Sequence, residues 1–319
     1  MEVFLGIDVG SVSTNLVIID KKINVLESLY LRTKGQPIKV LQEGLQLLKE
    51  KLNSTMKIVG VGTTGSGRVL SGAIVGADVV KNEITAHAVA ASTLVPDVRT
   101  IIEIGGQDSK IIILRNGIVS DFAMNTVCAA GTGSFLDQQA ERLNIDISEF
   151  GTLALKAKNP VRIAGRCTVF AESDMIHKQQ TGHNTEDIIA GLCEALVRNY
   201  LNNVGKGKEI LPPVIFQGGV AANAGIKQAF EKQLGIEVQI PTHFGVMGAI
   251  GVGILAKNNY QATGRTQFKG FEISTADFTA GSFECDGCSN LCEIINIYQD
   301  GKIIARWGGR CGKWDQGIQ

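Results

Sequence analysis

Residues 2–9 alternate apolar and small side chains, turn at Gly10 and Ser11, and resume as an apolar run over 15–19. Alternation broken by glycine and hydroxyl residues predicts a β-hairpin. Over 36–52, Ile38, Leu41, Leu45, Leu48 and Leu52 recur at helical spacing, which predicts an amphipathic helix. A strand follows at 57–61, then a glycine-rich loop over 62–67. Residues 82–94 read as a helix with an alanine face. From Thr100 the opening pattern returns, with IIEIG as a strand, GQDS as its turn and KIIILRNG as the return strand. Further helices are expected at 132–143, 184–204 and 222–234, and strands at 213–217 and 237–240. The segment 245–257 reads as a helix rich in small residues, which allow close helix approach. It is therefore expected to cross the 82–94 helix and to serve as a hinge. Residues 258–284 are polar and aperiodic, and a compact Cys-rich tail closes the chain.

The repeated hairpin predicts two lobes with the same core, facing each other across a cleft. The expected division is 1–95 plus 240–258 for the first lobe, 96–239 for the second, and 259–319 for a C-terminal extension. Hydrophobic residues make up 44% of the 319 positions and glycine contributes 38, enough for a turn-rich α/β fold and too apolar for a disordered chain. Lys plus Arg and Asp plus Glu both number 31. That balance argues against a broad nucleic-acid-binding face. No basic leader opens the chain, and the most apolar stretch, 244–256, is too short to span a bilayer. A cytoplasmic protein with no membrane partner is expected.

Three loops carry candidate phosphate chemistry. In Asp8-Val9-Gly10-Ser11-Val12-Ser13-Thr14, Gly10 permits a tight turn, so that successive N–H groups and hydroxyls can surround phosphate oxygens. Asp8 at the strand end could hold hydrated Mg²⁺. Glu103-Ile104-Gly105-Gly106-Gln107-Asp108-Ser109 offers the same chemistry on the second hairpin. Gln217-Gly218-Gly219-Val220-Ala221-Ala222-Asn223 joins a strand to a helix and could let a flat adenosine lie against bare backbone. Any one of these could be an ordinary turn; the set, on a repeated hairpin, points to a nucleotide. Neither a GxxxxGK[ST] nor a GxGxxG pattern stands in its required context.

Of the seven cysteines, Cys128 and Cys167 lie far apart in sequence, unlike ferredoxin or zinc ligands. Spacing alone favours buried structural thiols. Cys193 sits in an apolar helix and reads as core. Cys285-x2-Cys288-x3-Cys292 with Cys311 could complete a zinc or iron–sulfur site, or form a reduced-thiol knuckle packed against the lobe or a partner. His177 and His183 read as surface residues.

Residues 8–14, 103–108 and 217–223 resemble the two phosphate motifs and the adenosine motif of the superfamily of actin, sugar kinases and heat-shock chaperones. That resemblance implies an ATP cleft between two ribonuclease-H-like lobes. NTVCAAGTGSFLDQQAERL (125–143), GRCTVFAESDMI (165–176) and IGGQDSK (104–110) are similar to one branch, the activator ATPases of 2-hydroxyacyl-CoA dehydratases and the ATPase subunits of benzoyl-CoA reductases. Reductases of double-cubane iron–sulfur proteins belong to the same branch. The likeness covers about residues 1–258. It implies a homodimer with one 4Fe-4S cluster at its interface, ligated by Cys128 and Cys167 of each subunit. It also implies ATP/ADP and Mg²⁺ at Asp8 and Glu103, and Gln107 or Asp108 positioning the attacking water. Gly131 and Gly133, after Cys128, join the expected cofactor-binding set. The partners implied are an iron–sulfur acceptor enzyme and a ferredoxin or flavodoxin donor. A small-molecule kinase or a non-enzymatic nucleotide switch are the alternatives; neither uses Cys128 and Cys167.

Overall fold

A computed structural model describes residues 1–53, 55–125 and 128–317. The chain forms two compact units, Met1–Ala90 with Gly248–Gln319, and Ala91–Met247. Unit 1 begins with β1 (Glu2–Val9), β2 (Ser13–Ile19) and β3 (Val25–Arg32), followed by α1 (Pro37–Lys51), β4 (Lys57–Thr64), α2 (Arg68–Val75) and β5 (Val79–Val80). Its sheet has the order β3-β2-β1-β4-β5. β1 runs antiparallel to β2 and parallel to β4. The helix α3 (Glu83–Leu94) then leads to the second unit.

Unit 2 repeats the plan. β6 (Thr100–Ile104), β7 (Ser109–Arg115) and β8 (Ile118–Asn125) precede α4 (Gly133–Leu143), α5 (Ile147–Ala154), α6 (Thr168–Gln180) and α7 (Thr185–Asn203). β9 (Val214–Gln217), α8 (Ala224–Leu234) and β10 (Val238–Gln239) complete a sheet of order β10-β9-β6-β7-β8. The repeat inferred from the two hairpins thus extends to whole sheets. Each unit adds a third antiparallel strand, β3 or β8, that the sequence pattern does not reveal. Both are edge strands, β3 with no fully buried side chain and β8 with mostly exposed ones, so the hydrophobic alternation that marks a half-buried strand is weak in them. The core of unit 2 gathers around α7, where Ile189, Leu192, Cys193, Leu196 and Tyr200 are buried. Burial pushes the Cys193 thiol up to about 12, consistent with an inert core residue.

The chain returns to unit 1 through α9 (Met247–Thr263). A Cβ on Gly6 would stand 1.8 Å from Ala249 O, and one on Gly62 would stand 2.3 Å from Val252 O. The helix therefore rests directly on the strand backbones. This explains why β4 continues to Thr64, where a glycine-rich loop is predicted from 62 onward. These glycines serve close approach rather than turning. The crossing of α9 and α3 is equally close, since a Cβ on Gly251 would stand 1.9 Å from Ala86 O.

The region after 257 is more ordered than its sequence pattern implies. α9 runs on to Thr263, with Tyr260 edge-on to Phe4 at 6.0 Å between centroids. β11 (Phe278–Glu284), β12 (Glu293–Gln299) and β13 (Lys302–Trp307) form an antiparallel sheet. Ile273, Phe278, Ile297 and Ala305 share one core with Leu41, Leu45 and Leu48 of α1. Gln42 fixes the junction by donating to Ile273 O at 3.0 Å and Ala276 O at 2.8 Å. Among the described residues no helix is long and apolar enough to cross a membrane.

Candidate functional site

In unit 1, Asp8, one residue before the end of β1, lies directly opposite Asn15 on β2 and Thr64 on β4. Paired residues share a sheet face, so the three polar side chains stand together. A Cβ on Gly248 would lie 2.2 Å from Asp8 Oδ2, and one on Gly65, at φ +92°, would lie 2.5 Å from Asp8 Oδ1. The carboxylate is therefore seated between two bare backbones. His87, buried on α3, also reaches this seat, since its Cε1 would stand 3.5 Å from the Gly248 Cβ. The hairpin tip closes through Gly10 N–H to Ser13 O at 2.8 Å. Thr33 braces it, with its N–H donating to Val12 O at 2.8 Å and its hydroxyl to Gly10 O at 3.0 Å. Ser11 is exposed, and Val12 and Ser13 are half-buried. Thr14 is fully buried with its hydroxyl 3.0 Å from that of Thr33, so its side chain supports the tip from inside.

In unit 2, Glu103 lies opposite both Lys110 and Gln217. Lys110 Nζ stands 3.1 Å from Glu103 Oε2 and 2.9 Å from Asp108 Oδ1. Glu103 and Lys110 are 5% and 2% exposed, so this charge group is held in a poorly screened setting. Sequence reasoning overlooked Lys110. Its signal was register, because opposite charges equidistant from a tight turn become cross-strand partners. Gly105 N–H donates to Asp108 O at 3.0 Å and closes the tip. Gln107 is exposed there, whereas Asp108 is half-buried against Lys110.

The start of α4 is tied to this same tip. Gly133 N–H donates to Gly105 O at 2.9 Å, and Ser134 donates to Gly106 O from its N–H at 2.8 Å and its hydroxyl at 2.6 Å. Gly131 allows close approach to α7, where a Cβ would meet Asn199 Oδ1 at 2.8 Å. Gly133 thus ties α4 to the tip, and Gly131 lets the preceding turn pack against α7. In the third loop Gly218, at φ +89°, passes over Glu103, and a Cβ there would lie 2.7 Å from Glu103 Oε1. Gly219 is exposed, Ala221 is buried, and Asn223 Oδ1 caps α8 by accepting from Ile226 N–H at 3.1 Å. Gly219 is therefore the loop position that presents bare backbone to solvent.

Cys128 and Cys167, both half-buried, belong to segments that unit 2 brings together. Cys128 Sγ lies 3.8 Å from Arg166 O. Asn125 grips the first segment at both ends of one residue, accepting from Cys128 N–H at 3.0 Å and donating to Cys128 O at 2.6 Å. Thr126 and Val127, part of the family-like motif, lie outside the described residues. Asn199 on α7 donates to Gly165 O at 2.6 Å and reaches Cys128 Sγ at 3.8 Å. Cys167 stands at the N-cap position of α6, whose N-terminal dipole favours negative charge. Val169 and Phe170 on its first turn are each 66% exposed, and Phe122 and Met124 on β8 are also exposed. His177 and His183 are exposed.

The tail cysteines stand as reduced thiols, and among the described residues no three His, Cys, Asp or Glu side chains converge as a metal site requires. Cys285 pairs with Cys292 through N–H to O at 2.8 Å. Its sulfur accepts from Trp314 Nε1 at 3.2 Å and from Gly287 N–H at 3.4 Å. Those donors, with Lys313 nearby, hold the Cys285 thiol below its ordinary range. Cys288 and Cys311 are exposed. The sheet shares its core with α1.

The profile of the BadF/BadG/BcrA/BcrD ATPase family matches residues 5–256. The (R)-2-hydroxyglutaryl-CoA dehydratase activating ATPase of Acidaminococcus fermentans is 37% identical, over 79% of this chain and 96% of its own length. The activator of lactoyl-CoA dehydratase of Anaerotignum propionicum is 35% identical, over 79% of this chain and 96% of its own. The structure of the activator of 2-hydroxyisocaproyl-CoA dehydratase from Clostridium difficile with bound ADPNP superposes with a TM-score of 0.74 and 32% identity. It covers 82% of this chain and 97% of that one.

Proposed function

The chain belongs to the BadF/BadG/BcrA/BcrD ATPase family, and from that premise we propose that it is an ATP-dependent activator that delivers low-potential electrons to a partner iron–sulfur enzyme. The observation that carries this reading is the meeting of the Cys128 and Cys167 segments in unit 2, with Cys128 Sγ 3.8 Å from Arg166 O. A kinase or a plain nucleotide switch has no use for that meeting.

The nucleotide chemistry follows from the two hairpin tips. Asp8, seated between Gly65 and Gly248, would hold the Mg²⁺ that neutralises phosphate charge. Ser11, Ser13 and the tip amides bind phosphate oxygens. Glu103, fixed by Lys110, orders the second tip, and Asp108 or Gln107 orients the attacking water. Bare backbone at Gly219 receives the adenosine. ATP drives the change between two states only as far as it binds one better than the other.

The cysteine pair fits half of a 4Fe-4S ligand set: two partly exposed thiols, one at a helix N-terminus. A second copy of the chain supplies the other half, and exposed Val169 and Phe170 beside Cys167 are apolar surface that such a dimer would cover. When bound, the cluster would supply one-electron transfer at low potential. The residues of this chain would hold its sulfur ligands and, through the start of α4, tie the Cys128 segment to the second hairpin tip. The acceptor is a dehydratase, an aryl-CoA reductase or a double-cubane protein, and the electrons come from ferredoxin or flavodoxin.

Anaerobic purification with iron analysis and ATPase assay tests this. Iron at four atoms per dimer is expected, with Cys128→Ala and Cys167→Ala each losing the iron and the brown colour while still binding ADP. A colourless wild-type protein with full ATPase activity would sink the proposal.

A further inference from the structure

Asn199 joins the two cysteine segments from a third element. It sits on α7, 2% exposed, and its Nδ2 faces two acceptors: Gly165 O at 2.6 Å, two residues before Cys167, and Cys128 Sγ at 3.8 Å. Its Oδ1 is in turn held by Asn203 Nδ2 at 3.1 Å, which fixes the amide with its NH2 toward the thiol. The neighbourhood is shaped for this contact. A side chain at Gly131 would collide with Asn199 Oδ1 at 2.8 Å, and one at Gly165 with Ala195 O, also at 2.8 Å. Arg198 and Asp174 hold the 163–165 strand of chain beside it, through Ile163 O at 2.6 Å and Ala164 N at 2.8 Å. A buried amide this well placed has a stronger claim than packing, because an apolar residue of the same size would fill the space.

We propose that Asn199 is a positioning residue for the cysteine pair, holding the Cys128 and Cys167 segments together and, through its N–H toward Cys128 Sγ, setting the reduction potential of the cluster bound there. The inference rests on the electron-transfer reading above. Reduction adds negative charge, which spreads onto the sulfurs. An N–H dipole aimed at a ligand sulfur stabilises the reduced form more than the oxidised one, so it raises the potential. Removing the donor lowers it.

The test uses the anaerobically reconstituted wild-type dimer, Asn199→Ala and Asn199→Leu. The second variant keeps the side-chain size without the donor and adds no charge, so it covers the case in which the alanine variant does not fold. A redox titration followed by electron paramagnetic resonance should place both midpoints below that of the wild type. ADP binding, measured by calorimetry, should be unchanged, because the hydrogen bonds of the Asn199 side chain run to Gly165, Cys128 and Asn203, which lie outside the three nucleotide loops. Loss of iron from a folded, ADP-binding variant would equally support a role in holding the pair. Full iron content with an unshifted midpoint in the folded variants would overturn the proposal while leaving the electron-transfer reading intact. A wild-type dimer that takes up no iron would overturn both.

Discussion

Single side chains in this protein are set by what stands across the sheet from them. Lys110 is held between Glu103 and Asp108 in nearly complete burial. Replacing it by Met removes the cation that balances two carboxylates. The cost should be about 3 kcal/mol in urea unfolding of unit 2, the usual penalty for breaking a buried ion pair, and ATP turnover should fall with it. Cys285 offers a pH-dependent case. Its pKa is lowered first by the Trp314 N–H and then by Gly287 N–H. A thiol depressed in the folded state adds stability above its unfolded pKa, and that stability is lost as pH falls through the folded value. Trp314→Phe should therefore move Cys285 alkylation to higher pH, as followed by mass spectrometry, and remove the stability gain in alkaline buffer. Glu103, Asp108 and Cys285 were visible as candidates in the sequence. Lys110 and Asn125 stood in quoted motifs without a role, and Asn199 and Trp314 did not stand out at all, because their importance lies in partners that are distant or cross-strand.

Among elements, α9 is the most constrained. Its backbone lies on Gly6, Gly60 and Gly62, and a methyl group at Gly6 would overlap Ala249 O. Gly6→Ala should destabilise unit 1 by about 3 kcal/mol, since overpacking into backbone leaves little room to relax; chemical denaturation measures it. Gly248→Ala acts on the site instead. Its methyl would stand 2.2 Å from Asp8 Oδ2, so the carboxylate must swing aside. Mg²⁺-ATP hydrolysis should drop by an order of magnitude or more while the melting temperature changes little. The small-residue pattern of 245–257 announced a close crossing. It did not reveal that glycines in β1 and β4 form the floor, since glycine next to a strand reads as a turn until the packed helix is seen.

At the scale of the molecule, the tail is part of unit 1. Phe278, Ile297 and Ala305 complete the core that α1 begins. Ending the chain at residue 263 should lower the melting transition of unit 1 and leave that of unit 2 in place, as scanning calorimetry would show. The sequence by itself determined the repeated hairpins, the three loops, the principal helices and the cysteines worth attention, because these rest on local periodicity, turn chemistry and short motifs. Only the tertiary structure decided the edge strands, the ordered tail, the Trp314 donor to the Cys285 sulfur, and the bond network that draws Cys128 beside Arg166. Those depend on which distant backbones and amides come to lie together, and spacing along a chain carries no measure of that.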